Sequence, residues 1–217
     1  MVVAPLSKLF FDNLKLNLNS KYLIKPKVDF TLGYSMTNIG KKISYVDPAQ
    51  SDPIPRTARL GHSTDLAIEL FTKTDKLSLL DYSFTAEAEN LLFKYDSNQK
   101  IEYKNFLGDI KIGKHLIQLK SDGKVVVHRG HIFRLFETLI ITSGRYNGSG
   151  YNNIKSKGLG FSSEGLFKVS GILLNDPIVD FIAKHIVLEY YNADTFVDSG
   201  LETNFKGLVV NFRGLSF

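Results

Sequence analysis

Hydrophobic and polar residues alternate with a period of two in several windows of this chain. From Val28 to Met36 the even positions are apolar or aromatic, while the odd positions are polar or glycine. The pattern returns from Ser78 to Glu89, where the even positions from Leu80 onward are Leu, Tyr, Phe or Ala. A helix would mix these two sets, whereas a β-strand places them on opposite faces. Both windows therefore predict strands with one apolar and one polar face.

Weaker alternation predicts further strands along most of the remaining chain. They cover Ala58–Leu70, Lys124–Leu135, Thr138–Tyr146, Gly158–Val169, Ile182–Tyr190 and Phe205–Phe217. Residues typical of turns lie between them, at Asp47–Pro53, Tyr95–Gln99, Ser121–Gly123, Asn147–Gly150 and Asn192–Asp194. Asp176–Phe181 fits either a short helix or a loop. We expect an all-β, antiparallel fold of about ten strands, many of them near the length that crosses a membrane when tilted.

Two architectures accommodate such strands. In a soluble sandwich or barrel the apolar face points inward, and in an outer-membrane barrel it points outward toward lipid. Tyrosines near predicted strand ends resemble the aromatic girdles of membrane barrels, although ordinary core and rim aromatics explain them equally well. These tyrosines are Tyr34, Tyr45, Tyr82, Tyr95, Tyr146, Tyr190 and Tyr191. Periodicity alone leaves both architectures open.

Composition narrows the class of protein. The chain has 217 residues, of which 43% are hydrophobic and 23% charged, so a single folded domain over residues 1–217 is expected. No apolar run is long enough for a membrane-spanning helix. The absence of cysteine excludes disulfides, thiolate metal sites and a cysteine nucleophile. The net charge is +5, but the Lys and Arg residues are interleaved with acidic residues and form no dense basic block. We therefore expect no nucleic-acid partner.

Two segments carry a family resemblance. Ser35–Tyr45, a polar loop and Pro55–Gly61 resemble a hairpin of the PorV family, FadL-like outer-membrane β-barrels of the Bacteroidetes type IX secretion system. The matching residues are Asn38, Gly40, Lys42, Ile43, Ser44, Tyr45, Pro55, Arg59 and Gly61. A strand is expected to end at Asn38–Gly40, where Gly40 permits a backbone conformation that other residues resist, followed by an antiparallel return.

The second half of the chain resembles the same family less closely. His128–Glu137 and Ile141–Tyr146 look like its penultimate hairpins, and Phe205–Phe217 looks like an outer-membrane closing strand with a terminal aromatic residue. This segment departs from a closing strand with one continuous apolar face. Its alternating apolar residues occupy even positions up to Phe212 but odd positions from Leu215 onward. A bulge at Gly214 would realign them.

The resemblance covers roughly residues 28–217 and implies a location and partners. It implies a bacterial outer-membrane barrel that contacts lipid, the secretion translocon and exported proteins, and that handles cargo at the cell surface. The expected signal peptide and several amino-terminal strands are missing, so we expect the carboxy-terminal part of a longer barrel. The alternative is a small barrel in which Leu6–Ile24 pairs with Phe205–Phe217.

Candidate chemistry is weak, and we expect neither an enzyme nor a cofactor, metal or catalytic site. Gly108, Gly113 and Lys114 match the spacing of a phosphate-binding loop, but His115 replaces the required Ser or Thr, and the intervening residues alternate like a strand.

Two groups of metal-ligating residue types are also explained without a metal. His128 and His131 are expected on opposite faces of one strand. Glu87 and Glu89 share a face, and either lining of a polar lumen or a solvated face explains them simply. The alternative functions are a FadL-like transporter of small hydrophobic ligands and a soluble lipid-binding barrel.

Overall fold

The computed structural model describes most of the chain. The described residues are 2–4, 16–19, 22–40, 55–72, 76–95, 97, 101–174, 177–197 and 200–214. The strands are β1 (Val2–Ala4), β2 (Leu16–Asn19), β3 (Tyr22–Thr37), β4 (Thr57–Phe71), β5 (Lys76–Leu91), β6 (Phe93–Tyr95), β7 (Ile101–Tyr103), β8 (Val125–Leu135), β9 (Leu139–Gly148), β10 (Tyr151–Ser162), β11 (Ile186–Thr195) and β12 (Thr203–Phe212). The helices are a π-helix (Ile112–Ile117), α1 (Ser163–Leu174) and α2 (Pro177–His185). None of the helices in these ranges has both the length and the apolar character needed to cross a membrane.

Ten of the described strands form one antiparallel sheet. Its long strands follow chain order, β3-β4-β5-β8-β9-β10-β11-β12, and each pairs with its neighbour. β1 and β2 both pair with the outer edge of β3, where Val3 lies opposite Thr31 and Leu16 opposite Ile24. β6 and β7 form a separate hairpin. The prediction of an all-β, antiparallel fold with about ten strands is confirmed.

The described part of the sheet is open at both ends. Within the described residues β12 pairs with β11 alone, so they do not form a closed barrel. The described part of Leu6–Ile24 does not pair with the last strand, because Leu16 and Asn17 form a local hairpin with Ile24 and Leu23. Residues 5–15 and 215–217, which belong to the same hypothesis, lie outside the described residues.

Period-two alternation located β3, β4, β5, β8 and β9 correctly. The windows Val28–Met36, Ala58–Leu70 and Ser78–Glu89 lie inside β3, β4 and β5, which are 16, 15 and 16 residues long. Lys124–Leu135 and Thr138–Tyr146 correspond to β8 and β9 within one or two residues at each end. The predicted turns at Ser121–Gly123 and Asn147–Gly150 also fall between strands, although Asn147 and Gly148 still belong to β9.

Two strand predictions are wrong in part, because helices occupy some of the predicted residues. The strand over Gly158–Val169 ends at Ser162, whose Oγ accepts the N–H of Glu164 (3.3 Å) at the start of α1. Glu164 then pairs with Lys168 one turn later (3.0 Å), which supports a helix. Ile182–His185, predicted as strand, is the end of α2, and β11 starts at Ile186. The helix alternative for Asp176–Phe181 is confirmed from Pro177 onward, since proline fits the first turn of a helix.

Polar residues misled the prediction in β11. Asn192–Asp194 was expected as a turn but lies inside the strand, because Asn204 Nδ2 on β12 donates to Asn192 Oδ1 and Asp194 Oδ1 (2.6 Å each). Tyr82 lies in the middle of β5 and Tyr190 and Tyr191 in the middle of β11, so these three are not at strand ends. The predicted end positions of Tyr34, Tyr95 and Tyr146 hold within three residues, and Tyr45 lies outside the described residues.

The hairpin predicted between Ser35 and Gly61 is present. β3 ends at Thr37, which pairs with Thr57 at the start of β4. The left-handed backbone that was expected at Gly40 is found at Asn38 (φ 59°), a residue type that tolerates this conformation. Asn38 Nδ2 donates to the carbonyl of Pro55 (3.0 Å) and thereby joins the two sides of the loop. Residues 41–54 lie outside the described residues.

A small hydrophobic core lies at one end of the sheet. Residues 92–124, which we call the insertion, connect β5 to β8, and their described part (92–95, 97 and 101–124) folds over this end. Leu92, Ile110 and Leu116 of the insertion pack on apolar residues of β4, β5 and β8. These partners are Ala58, Leu60, Ala88, Val125 and Val127. The buried cluster therefore covers only the part of the sheet beneath the insertion.

The helical pair α1–α2 is fixed at the opposite end of the strands. Ser163 Oγ accepts the N–H of Leu188 (3.0 Å), and Lys168 Nζ binds Glu137 Oε2 (2.5 Å) in the β8–β9 turn. Gly165 lies against the carbonyl of Phe136, where a side-chain Cβ would be only 1.6 Å from that oxygen. A glycine is required at this contact.

Candidate functional site

One face of the sheet carries an unbroken row of large apolar residues. Cross-strand partners in β3, β4, β5, β8, β9, β10, β11 and β12 form the row Pro26–Ile68–Leu80–Leu135–Leu139–Phe161–Tyr190–Leu208. The adjacent row, Val28–Leu66–Tyr82–Phe133–Ile141–Leu159, is apolar over six strands. Neighbouring strands thus contribute apolar side chains at the same level across the sheet.

Most of the side chains in these two rows are at least 36% exposed. We call the exposed large apolar residues of this whole face the apolar band: Leu32, Tyr34, Leu66, Ile68, Phe133, Leu139, Ile141, Leu159, Phe161, Leu188, Tyr190, Leu208, Val210 and Phe212. Their exposed fractions run from 36% at Phe133 to 70% at Leu208. Members of the apolar band lie on seven of the eight long strands, all except β5, whose apolar-face residues Leu80 and Tyr82 are half-buried.

The opposite face, which we call the polar face, carries the charged residues in the central parts of β3, β4 and β5. Lys27 and Asp29 form an ion pair (2.7 Å) on β3, and Asp65 lies opposite Asp29 on β4. Asp81 of β5 lies opposite Arg134 of β8, and both line one pocket with the first three residues. These five residues form the charge ladder, which lies behind the apolar band on the other side of the same strands. In β8, β9 and β10 the apolar face also carries charge nearer the insertion end, at Arg129, Arg145 and Lys155.

A second charged group lies nearer the insertion end of the polar face. Arg59 binds Glu89 (2.9 Å) and approaches Glu87 (3.9 Å), while His128 Nε2 is 3.5 Å from Glu89. The His128 ring stacks on Tyr146 with centroids 5.3 Å apart. One ligand atom from each of Glu87, Glu89 and His128 lies within 4.8 Å of the others, a spacing that could hold a metal ion. Arg59 already supplies positive charge there.

The structure places the sequence-predicted candidates as follows. Glu87 and Glu89 do share a face, as predicted, and His128 and His131 do lie on opposite faces. The sequence did not reveal that His128 lies directly opposite Glu87, because that proximity depends on the register between β5 and β8. His131 lies on the apolar face, where its Nδ1 is 2.8 Å from the Tyr82 hydroxyl.

The phosphate-loop spacing belongs to a turn and the π-helix, so the prediction that its residues form a strand is wrong. His115 is fully buried, accepts the N–H of Lys111 through Nδ1 (2.9 Å) and contacts Asp122 through Nε2 (3.2 Å). Gly108 lies against Asn90, whose Oδ1 accepts the N–H of Asp109 (3.0 Å). These polar contacts fix the insertion internally.

Asp122 joins the insertion to the start of β8. Its carboxylate accepts the N–H groups of Lys124 (3.0 Å) and Val125 (2.9 Å) and binds Lys114 Nζ (2.6 Å). Burial alone would raise the pKa of this carboxyl, but the hydrogen bonds from Lys114, from the two backbone N–H groups and from His115 outweigh it. The pKa of Asp122 therefore lies well below its ordinary value.

No family model, curated protein or solved structure matches the chain.

Proposed function

We propose that this protein is a transmembrane β-sheet protein of a bacterial outer membrane, with the apolar band facing lipid. The row from Pro26 to Leu208 carries the proposal, since it places apolar side chains at one level in eight consecutive strands. A lipid-facing surface needs such continuity, because every strand crosses the same hydrocarbon layer. Band residues such as Leu66 and Ile141 are 42% and 45% exposed, so the described residues leave this surface available to lipid.

Strand length and charge placement support the same proposal. The eight long strands contain between 10 and 16 residues, against about 9–11 for a tilted crossing. The charge ladder occupies the polar face behind the band, where charged side chains of a membrane barrel meet water in the lumen. A path for hydrophobic ligands would need apolar lining on that face, so the transporter alternative gains no support from it.

A location in the membrane requires both edges of the sheet to be hydrogen-bonded to further strands. Unpaired backbone groups in hydrocarbon cost several kcal/mol each, so the outer edge of β12 and the part of the β3 edge that β1 and β2 leave unpaired must be paired in the membrane. We propose that further strands complete the barrel around these ten.

The role within the membrane follows from the PorV resemblance alone. We propose that the protein belongs to a type IX secretion system and handles exported cargo at the cell surface, with the translocon and exported proteins as partners.

Cell fractionation tests the membrane proposal. Produced in its native host, the protein should co-sediment with outer membranes and resist extraction with urea or alkaline carbonate. Recovery of folded protein from detergent-free buffer would contradict the proposal. Cross-linking in a host with a type IX system tests the role, which predicts translocon subunits and cargo among the products. A membrane-embedded protein that yields neither would refute the secretion role alone.

A further inference from the structure

The insertion packs on the apolar face of the sheet and not on the polar face. Its buried residues Leu92 and Leu116 belong to one cluster with Leu60 of β4, and Leu60 lies in register with Tyr34 on β3. The insertion therefore lies on the face that, under the proposed function, contacts lipid.

Two contacts place the insertion at the border of the apolar band. The Tyr34 hydroxyl donates to the carbonyl of Phe106 (2.6 Å), and the two rings meet edge to face at 6.0 Å. His62 Nε2 lies 3.4 Å from the carbonyl of Leu116. Tyr34 and His62 are neighbours on the apolar face, so residues 106 and 116 mark where the band ends and the insertion begins.

The surface of the insertion is apolar at this border. Phe106 is 61% exposed, Ile112 55% and Ile117 75%. The interior of the insertion already contains Leu92, Ile110 and Leu116, so the exposed side chains are additional to its core. Asp122 and the buried His115 hold the segment in this conformation.

The insertion also presents positive charge. Lys104 pairs with Asp109, and Lys114 pairs with Asp122. Lys111, Lys120 and Lys124 are exposed, and their ammonium groups form no ion pair with any residue that the structure describes. Exposed apolar residues combined with free lysines are typical of segments that lie in the headgroup region of an anionic bilayer.

We propose that the insertion is a membrane-interface element that binds anionic lipid headgroups. Phe106, Ile112 and Ile117 enter the boundary between headgroups and acyl chains. Lys111, Lys120 and Lys124 bind the lipid phosphates. This inference rests on the proposed membrane function, and it adds a lipid-binding site and the class of lipid.

A single introduced tryptophan tests the proposed lipid-binding site by its fluorescence. No other tryptophan contributes to the signal, because the chain contains no Trp. Ile117→Trp is reconstituted as the full chain in bilayers of phosphatidylcholine with phosphatidylglycerol, and its quenching by lipids brominated near the headgroup is measured. Ile141→Trp in the apolar band reports membrane embedding, and Tyr146→Trp on the polar face is the unquenched control. We expect quenching at positions 117 and 141, with headgroup-proximal bromines more effective at 117 and deep bromines at 141.

The lysines are tested by comparing brominated phosphatidylglycerol with brominated phosphatidylcholine. One lysine near an anionic surface changes lipid preference by roughly fivefold, so the Ile117→Trp variant should favour the anionic quencher by at least that factor. Lys111→Gln, Lys120→Gln and Lys124→Gln together should remove the preference, while Lys94→Gln on β6, whose native side chain pairs with Glu102, should keep it.

The outcomes separate the two proposals. Quenching at 141 without quenching at 117 overturns the interface element and leaves the membrane sheet intact. Quenching at 117 with equal response to both lipids, or a preference that survives the triple variant, overturns the headgroup site. Absence of quenching at both positions refutes the proposed function itself. Circular dichroism of each variant verifies that the sheet is folded.

Discussion

The two ends of the apolar face differ in what covers them. Beneath the insertion, Ala58, Ala88 and Val125 are completely buried and contact protein. In the apolar band, residues of equal hydrophobicity such as Ile141 and Leu159 have no cover among the described residues. Because the same strands carry both regions, local sequence preference cannot explain the difference. The comparison shows that one region is stabilised by protein packing, and we infer that the other depends on lipid.

The largest expected effect is on the buried region. Leu92→Ala should lower the free energy of unfolding by about 3 kcal/mol, because it removes a side chain that is 1% exposed and leaves a cavity. Leu159→Ala in the band, 53% exposed, should cost much less in detergent. Denaturant titration followed by circular dichroism measures both, and equal losses would remove the distinction between the two regions.

A charged residue in the apolar band should destabilise the protein only in a lipid bilayer. Ile141→Arg should destabilise the protein by about 2–4 kcal/mol in bilayers if residue 141 lies near the midplane. Ile140→Arg is the matched control, because the adjacent residue points to the polar face. Reversible unfolding from lipid vesicles compares the two variants. A larger cost at position 140 would mean that the two faces have been assigned the wrong way round.

Asp122 allows a pH-dependent test of the region that the insertion covers. Asp122→Ala should cost about 2 kcal/mol, since two backbone N–H groups and Lys114 lose their acceptor. The folded-state pKa of this carboxyl is lowered, so its contribution is complete above the unfolded pKa of about 4 and declines as pH falls below it. Unfolding titrations at pH 7 and pH 3 should show the difference between wild type and variant shrinking at the lower pH. A difference that grows toward acid would contradict the assignment.

The smallest effect is expected at the helical end. Lys168→Ala removes the contacts with Glu137 and Glu164, and we expect a loss of about 1 kcal/mol because the three side chains are only partly buried. Burial would lower the pKa of Lys168, but the hydrogen bonds that its ammonium group donates to both carboxylates raise it. Hydrogen exchange of α1 measures the loss, with Lys157→Ala as the control on β10. Protection that is unchanged in Lys168→Ala would show that α1 does not depend on this cluster.

The strands could be predicted because the alternation of apolar and polar residues within each strand identifies its two faces. β3 and β5 alternate over most of their length, so period two identifies them without knowledge of their neighbours. α1 was missed because Phe161 and its neighbours extend the strand pattern into Ser163–Val169. The spacing of Glu164 and Lys168, one helical turn apart, was the available signal.

Features that depend on several strands could not be predicted in the same way. The proximity of His128 to Glu87 requires the register of β5 against β8. The cover over Leu60 requires the path of the whole insertion, and the row from Pro26 to Leu208 requires seven registers at once. A single sequence specifies faces, whereas pairing decides which residues on those faces meet.

The orientation of the two faces toward lipid is the central claim, and adjacent residues of β9 test it most directly. Ile141→Trp on the apolar face and Ile140→Trp on the polar face are each reconstituted in bilayers with lipids brominated deep in the acyl chain. The account predicts strong quenching and a blue-shifted emission at position 141, and little quenching at position 140. Equal quenching at both positions, or stronger quenching at 140, would contradict the assignment of the apolar band to lipid.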